Sequence, residues 1–263
     1  MGKLRHNSDF FWKGLVAAVF FAFFLEAARV SADEIKAPLP DCQFGSELQE
    51  LSVIQNNPSL DYLQEMKMEL ALRKKILSEV IDCAIREAES LRTKLDEAEI
   101  KDAEITAMKL RLDNEIDQNI SLYKNRARTI QDLGIYGSKS LAGELSTWRA
   151  TNYADLVSRA ANLISWNNSH GAIDLVENRL DSIKKAFIDL GVSDAKLQRI
   201  MQTAEDNLKK AEDLNELTRR AIVNSYQVDR QMMMIKDSLE AIARVYKNFF
   251  EISDILTASS TKK

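Results

Sequence analysis

Residues 59–133 read SLDYLQEMKMELALRKKILSEVIDCAIREAESLRTKLDEAEIKDAEITAMKLRLDNEIDQNISLYKNRARTIQDL, with neither Gly nor Pro. Those two residues are the strongest breakers of regular structure, so their absence favours continuous helix. The apolar positions agree. Leu63, Met66, Leu70, Leu77, Ile81, Ala84, Ala88, Leu91, Leu95 and Ala98 recur in steps dominated by three and four. The stripe resumes at Ile105, Met108, Leu112, Ile116, Ile120, Tyr123, Ala127 and Ile130. This is one face of an α-helix. Around Lys101–Ala103 the stripe weakens.

The start and stop signals extend this block to a first helical arm, 58–134. Asn57 can cap the helix, Pro58 suits the first helical position, and Asp61 places negative charge in the first turn. Gly134 suits the left-handed position that ends a helix. A single helix of this length would run about 110 Å at 1.5 Å per residue.

Residues 192–263 also lack Gly and Pro. A second arm, 192–257, starts with Ser193 as cap. Its stripe runs from Leu197, Ile200 and Ala204 to Ile242, Tyr246, Phe249 and Ile252. Gly134, Gly137, Gly143, Gly171 and Gly191 all fall between these two blocks, the last four of them in the middle segment, 135–191. That segment reads as a broken helical region, with one helix stopping near His170-Gly171 and another closing on Gly191. Residues 33–57 form an extended stretch followed by the short amphipathic helix 46–55, and 258–263 read as a frayed, disordered tail.

The expected fold is all-α: an elongated antiparallel helical bundle or coiled coil with two long arms. Three Pro and six Gly beyond residue 33 are too few turn formers for an all-β chain. Met232, Met233, Met234 and Ile235 are four consecutive apolar residues, which cover more than one helix face. Phe249 and Phe250 repeat the effect. Met232, Met233, Ile235 and Phe249 are therefore candidates for a self-association seam.

The first 32 residues carry a secretory pattern. Lys3, Arg5 and Lys13 precede the uncharged run GLVAAVFFAFFL (14–25), and small residues follow. Val30 and Ala32 fit the positions before a cleavage site between Ala32 and Asp33. The run is shorter than the roughly 20 residues of a spanning helix, so cleavage is favoured over retention as an anchor. The expected location is periplasmic, cell-surface or extracellular, with no membrane insertion after cleavage. Removing 1–32 leaves 32 basic against 38 acidic residues. The two signs are interleaved, so no phosphate-binding stripe and no nucleic-acid partner is expected.

Catalytic and metal-binding patterns are sparse. Beyond residue 32 the one histidine is His170, in WNNSHG, where a helix terminus favours it. The sequence has no Glu-x-x-His pair and no Cys/His set. GIYGSKS (134–140) lacks the glycine spacing of a phosphate loop and follows a helix. Neither enzyme chemistry, metal nor cofactor is expected. Asn119-Ile120-Ser121 and Asn167-Asn168-Ser169 have the form of glycosylation sites, meaningful in a eukaryote.

Two functional readings follow. The first is an exported structural or protein-interaction module: a spacer, scaffold or adhesin-like part that binds a protein partner or its own copies. The alternative is an extracytoplasmic ligand-binding or sensor bundle with a pocket near Trp148, Tyr153 and Trp166. No particular small molecule is indicated.

The only two cysteines are Cys42 and Cys83. Export favours oxidation, and a chain reversal at 56–58 would bring them to one level. The bridge would stabilise by about 3–4 kcal/mol through restriction of the unfolded chain. Intact mass and thiol titration of natively exported protein should find a chain starting at Asp33 with no free thiol. Two titrating thiols would end the idea.

Overall fold

The computed structural model describes residues 45–57, 59–189 and 191–261. The expected leader 1–32 with its expected Ala32/Asp33 cleavage site, the expected extended stretch 33–41, Cys42 and Pro58 lie outside the described residues.

Every element is helical, with no strand among the described residues. In chain order they are α1 (Gly45–Gln55), α2 (Tyr62–Glu97), α3 (Ala103–Thr129), a 3₁₀ turn (Ile130–Asp132) and α4 (Ile135–Trp148). A π turn (Arg149–Tyr153) leads into α5 (Ala154–Asp189), followed by α6 (Ala195–Val223) and α7 (Val228–Thr261). The all-α class is as the sequence predicts. Each expected arm, however, is two helices.

The first arm breaks at 98–102. Ala98 leaves the helix with ψ 107°, and Asp102 caps α3 by accepting from the N–H groups of Glu104 and Ile105, both at 2.9 Å. Lys109 Nζ, on α3, donates to the carbonyls of Asp96 and Ala98 at 2.9 and 3.0 Å. That lysine satisfies acceptors which the end of α2 leaves open. The turn thus forms without Gly or Pro. The second arm breaks at 224–227, where Ser225 and Gln227 hold φ of 51° and 49°. Left-handed backbone costs each such residue about 1 kcal/mol, so helix packing on both sides must impose the turn.

The ends also differ from expectation. Asp61, not Asn57, caps α2, accepting from Leu63 and Gln64 N–H at 2.9 Å. Asp194, not Ser193, caps α6, through Lys196 and Leu197 N–H. Gly134 has φ −87° and precedes α4 rather than ending a helix in the left-handed region. Gly191 does take that conformation, φ 63°. Val192 N–H reaches Phe187 O and Gly191 N–H reaches Ile188 O, closing the end of α5. The expected stop at His170-Gly171 is absent. α5 runs through it because Leu163, Trp166, Ile173, Val176 and Leu180 continue one buried stripe. That burial outweighs the roughly 1 kcal/mol penalty of a helical glycine. The expected tail 258–263 is helical as far as Thr261.

The chain divides into two compact units. The first comprises 45–164 with the turn segment 222–228. In it α2 and α3 are antiparallel: Lys124 pairs with Glu89 and Arg92 with Asp117. The stretch from α4 into α5 runs antiparallel to α3, with Trp148 on Asn119 and Arg159 on Glu115. Leu77, Ile81, Ala84, Tyr123, Ile130, Leu141 and Leu145 form a core among the three helices. α1 lies back along α2: Gln55 donates to Glu69 at 2.9 Å, and Lys75 meets Glu47 at 3.3 Å. The expected reversal near 56–58 is therefore present. Of the stripe Leu48, Leu51 and Ile54, Ile54 is buried, while Leu48 and its expected neighbour Leu63 are exposed.

The second unit comprises 165–221 and 229–261. It is another up-down-up set of three helices. Lys184 pairs with Glu205 between α5 and α6 at 2.9 Å. Ser238 Oγ donates to Ala211 O and Asn248 Nδ2 to Ile200 O between α6 and α7. Val176, Leu180, Ala204, Leu208, Val245 and Phe249 are central to its core.

The four candidate seam residues part company here. Ile235 and Phe249 are each 2% exposed, whereas Met233 is 65% exposed and Met232 also reaches solvent. Ile235→Glu should cost at least about 3 kcal/mol of stability by burying a charge. Met233→Glu should stay within about 0.5 kcal/mol. Urea unfolding of the two variants at low concentration checks the difference.

Candidate functional site

The most concentrated buried polar chemistry in the first unit lies at the π turn. The buried apolar pattern changes spacing across it. Ser138, Leu141 and Leu145 are buried on α4; Tyr153, Leu156 and Ala160 are buried beyond the turn. Each member of the second set lies 15 residues after its counterpart in the first. Two seven-residue repeats of a helix seam would give about 14. The surplus residue is taken up where Ala154 N–H bonds to Arg149 O, a five-residue step in place of four.

Arg149 is placed by this turn against α2. Its Nη1 and Nη2 donate to Glu87 Oε2 and Oε1 at 2.7 and 3.0 Å. Such a fork is the strongest geometry for this ion pair. The Glu87 side chain is 9% exposed and that of Arg149 50%. The acid is thus enclosed while the guanidinium spans from core to solvent. The hydrogen bond that Arg149 donates to Glu87 raises the Arg149 pKa, against the opposing effect of burial. The guanidinium carbon also lies 5.5 Å from the centre of the Tyr153 ring, a cation–π arrangement.

Tyr153 is almost wholly buried, and its hydroxyl has no hydrogen-bond partner. Tyr123, on α3, meets its ring edge-on at 6.3 Å. Burial, together with the negative charge of Glu87, pushes the Tyr153 phenol far above its usual range. Burial likewise raises Tyr123, opposed by Arg149. At neutral pH the cluster is therefore two neutral phenols around a closed ion pair. Its groups bind one another and hold three helices together.

A shallow groove opens beside the cluster, between α3 and the α4–π segment. Leu122, Arg126, Glu144, Trp148, Thr151 and Asn152 line it. Trp148 Nε1 donates to Asn119 Oδ1 at 2.8 Å, which fixes the indole, and Asn119 Nδ2 donates to Glu115 O at 2.8 Å. Asn119 is buried, so the first glycosylation-type motif is part of the folded interior.

Of the three aromatics, Trp148 and Tyr153 are in the first unit and Trp166 in the second. Trp148 edges this groove, Tyr153 fills the core behind it, and Trp166 belongs to the second unit. There Trp166 donates to Asn215 O at 3.0 Å and stacks on His170, with centroids 5.6 Å apart and planes 4° from parallel. Ser169 and Ser238, both fully buried, meet at 3.4 Å in the same unit. Its side chain being enclosed there, Ser169 of the second glycosylation-type motif is also interior.

Glu69 forms a smaller node. Burial pushes its carboxyl up, but Arg73, Gln55 and Lys139 more than offset this, leaving it below the usual range. Its bonds join α1, α2 and α4. Cys83 is buried on α2 and is not a free thiol. Among the described residues no group of three or more His, Cys, Asp or Glu is arranged to hold a metal ion. No helix among them is long and apolar enough to cross a membrane. Sequence reasoning placed Tyr153 among its aromatics but did not single out Glu87 or Arg149. The 15-residue spacing was the available signal for them. Comparison with known protein families, curated proteins and solved structures finds no match.

Tyr153→Phe removes a buried hydroxyl that has no partner, so at neutral pH it should be neutral or stabilising by up to about 1 kcal/mol. The phenol pKa is higher in the folded state than in the unfolded chain, where it is about 10. Both states are protonated below that value. Above it the unfolded state loses its proton first, so stability falls as pH rises. Melting temperature followed from neutral to strongly alkaline pH should drop less steeply in Tyr153→Phe than in the parent.

Proposed function

We propose that this chain is an exported, non-enzymatic helical module that works through protein contact, in the manner of a scaffold or spacer, and associates with copies of itself. The observation that carries the reading is a pair of exposed apolar side chains on the second unit. Leu217 on α6 and Met233 on α7 are 51% and 65% exposed. The bonds Gln231 to Ala221 O and Ser238 to Ala211 O set the antiparallel register of these helices. That register puts Leu217 and Met233 at one level. The buried stripes of both helices are already used within the unit, so these two are surplus to its core. Apolar side chains exposed at one level of two neighbouring helices are available for contact with another protein surface. Met232 and Met233 are the seam candidates that reach solvent, while Ile235 and Phe249 are buried.

Export rests on the 1–32 pattern. The Cys42–Cys83 bridge belongs to the same reading. Cys83 is not free, and α1 returns along α2 with Glu47 beside Lys75, about two turns from Cys83. Glu69 and Glu87, the buried acids, are engaged in bonds between helices, which suits a structural role better than acid–base work.

Sedimentation velocity over a range of concentrations tests the proposal. The cleaved chain should show concentration-dependent association. The double variant Leu217→Glu/Met233→Glu should sediment as a monomer with unchanged helicity. A parent chain that remains monomeric throughout, or a double variant that associates equally well, would overturn self-association.

A further inference from the structure

We infer that the π turn is a phase corrector: it stores one surplus residue so that α4 and the start of α5 show a single face to α2 and α3. Three matched spacings point to this, Ser138 to Tyr153, Leu141 to Leu156 and Leu145 to Ala160, each of 15 residues. In unbroken α-helix Leu145 and Tyr153, eight residues apart, would diverge by about 80° around the axis. Asn152, one position earlier, would then take the inward place. In the structure Asn152 is exposed and Tyr153 is buried.

The surplus is held where two partners fix the chain. Arg149, which opens the turn, is clamped by Glu87; Tyr153, which closes it, is gripped between the Arg149 guanidinium and the Tyr123 ring. The residues between them, 150–152, are exposed. The excess length therefore sits where it displaces nothing in the core. The π turn, the ion pair and the aromatic contact form one device. It lets a seam with a one-residue discontinuity pack as though it were regular.

Two single-residue deletions in the full chain distinguish a phase corrector from an incidental turn. Removing Ala150, inside the turn, shortens each spacing to 14 and lets an ordinary α-helix join both halves of the seam. Removing Ser158, also exposed but in regular helix, throws Ala160 and Leu163 out of phase. The ΔAla150 protein should melt cooperatively within about 3 °C of the parent, whereas ΔSer158 should lose more than about 8 °C or its cooperativity. Amide hydrogen exchange of peptides from α2 and α3, which neither deletion touches, should retain parental protection in ΔAla150 and lose it in ΔSer158. If ΔAla150 is as damaging as ΔSer158, the turn is not a phase corrector. If ΔSer158 is as mild as ΔAla150, phase is not what the core requires. Either result overturns the inference.

Discussion

Every helix here must keep one apolar face turned toward its neighbours along its whole length, and the fold depends on that constraint. Helix propensity alone would allow long single rods. A single amphipathic rod would leave its stripe in water, at roughly 25 cal/mol per Å² of apolar surface. Folding back at 98–102 and 224–227 removes that exposure, so these turns form although neither contains Gly or Pro. The strained φ values at Ser225 and Gln227 are small against the burial of the helices they join.

The same constraint explains the irregular places. Where the apolar pattern slips by one residue, the backbone changes its hydrogen bonding at 149–153 rather than rotating the core outward. Where a glycine interrupts a sound stripe, at Gly171, the helix ignores it. Local signals yield to the continuity of the buried face in both directions, creating a turn in one case and erasing one in another.

Buried charge is used sparingly and at junctions. Glu69 joins three helices and Glu87 joins two, each through more than one bond. A buried ion pair adds little net stability compared with apolar packing, but it penalises any arrangement that leaves the acid unpaired. Glu87 and Arg149 can meet only when α2 and the π turn are correctly aligned. The pair is best understood as fixing alignment, with Tyr153 and Tyr123 supplying the apolar contact around it.

The sequence by itself determined the helical class, the inward face of most helices, the short helix returning along α2 and the glycine closure at Gly191. Each is a local property: spacing of apolar residues, absence of breakers, a residue free to take positive φ. The division into two units, both hairpin turns, the uninterrupted α5 and the Glu87–Arg149 pair were decided by tertiary structure. The 98–102 turn relies on Lys109 from the next helix to satisfy its carbonyls, a contact that no local pattern contains. The break at 224–227 left only a faint mark, the six-residue gap between Ile222 and Val228 in the stripe. Phe249 looked like surplus apolar surface until residues of α5 and α6 packed against it, and Ile235 is likewise buried. A single helix reveals which of its faces is apolar; how many partners that face receives depends on where the rest of the chain returns.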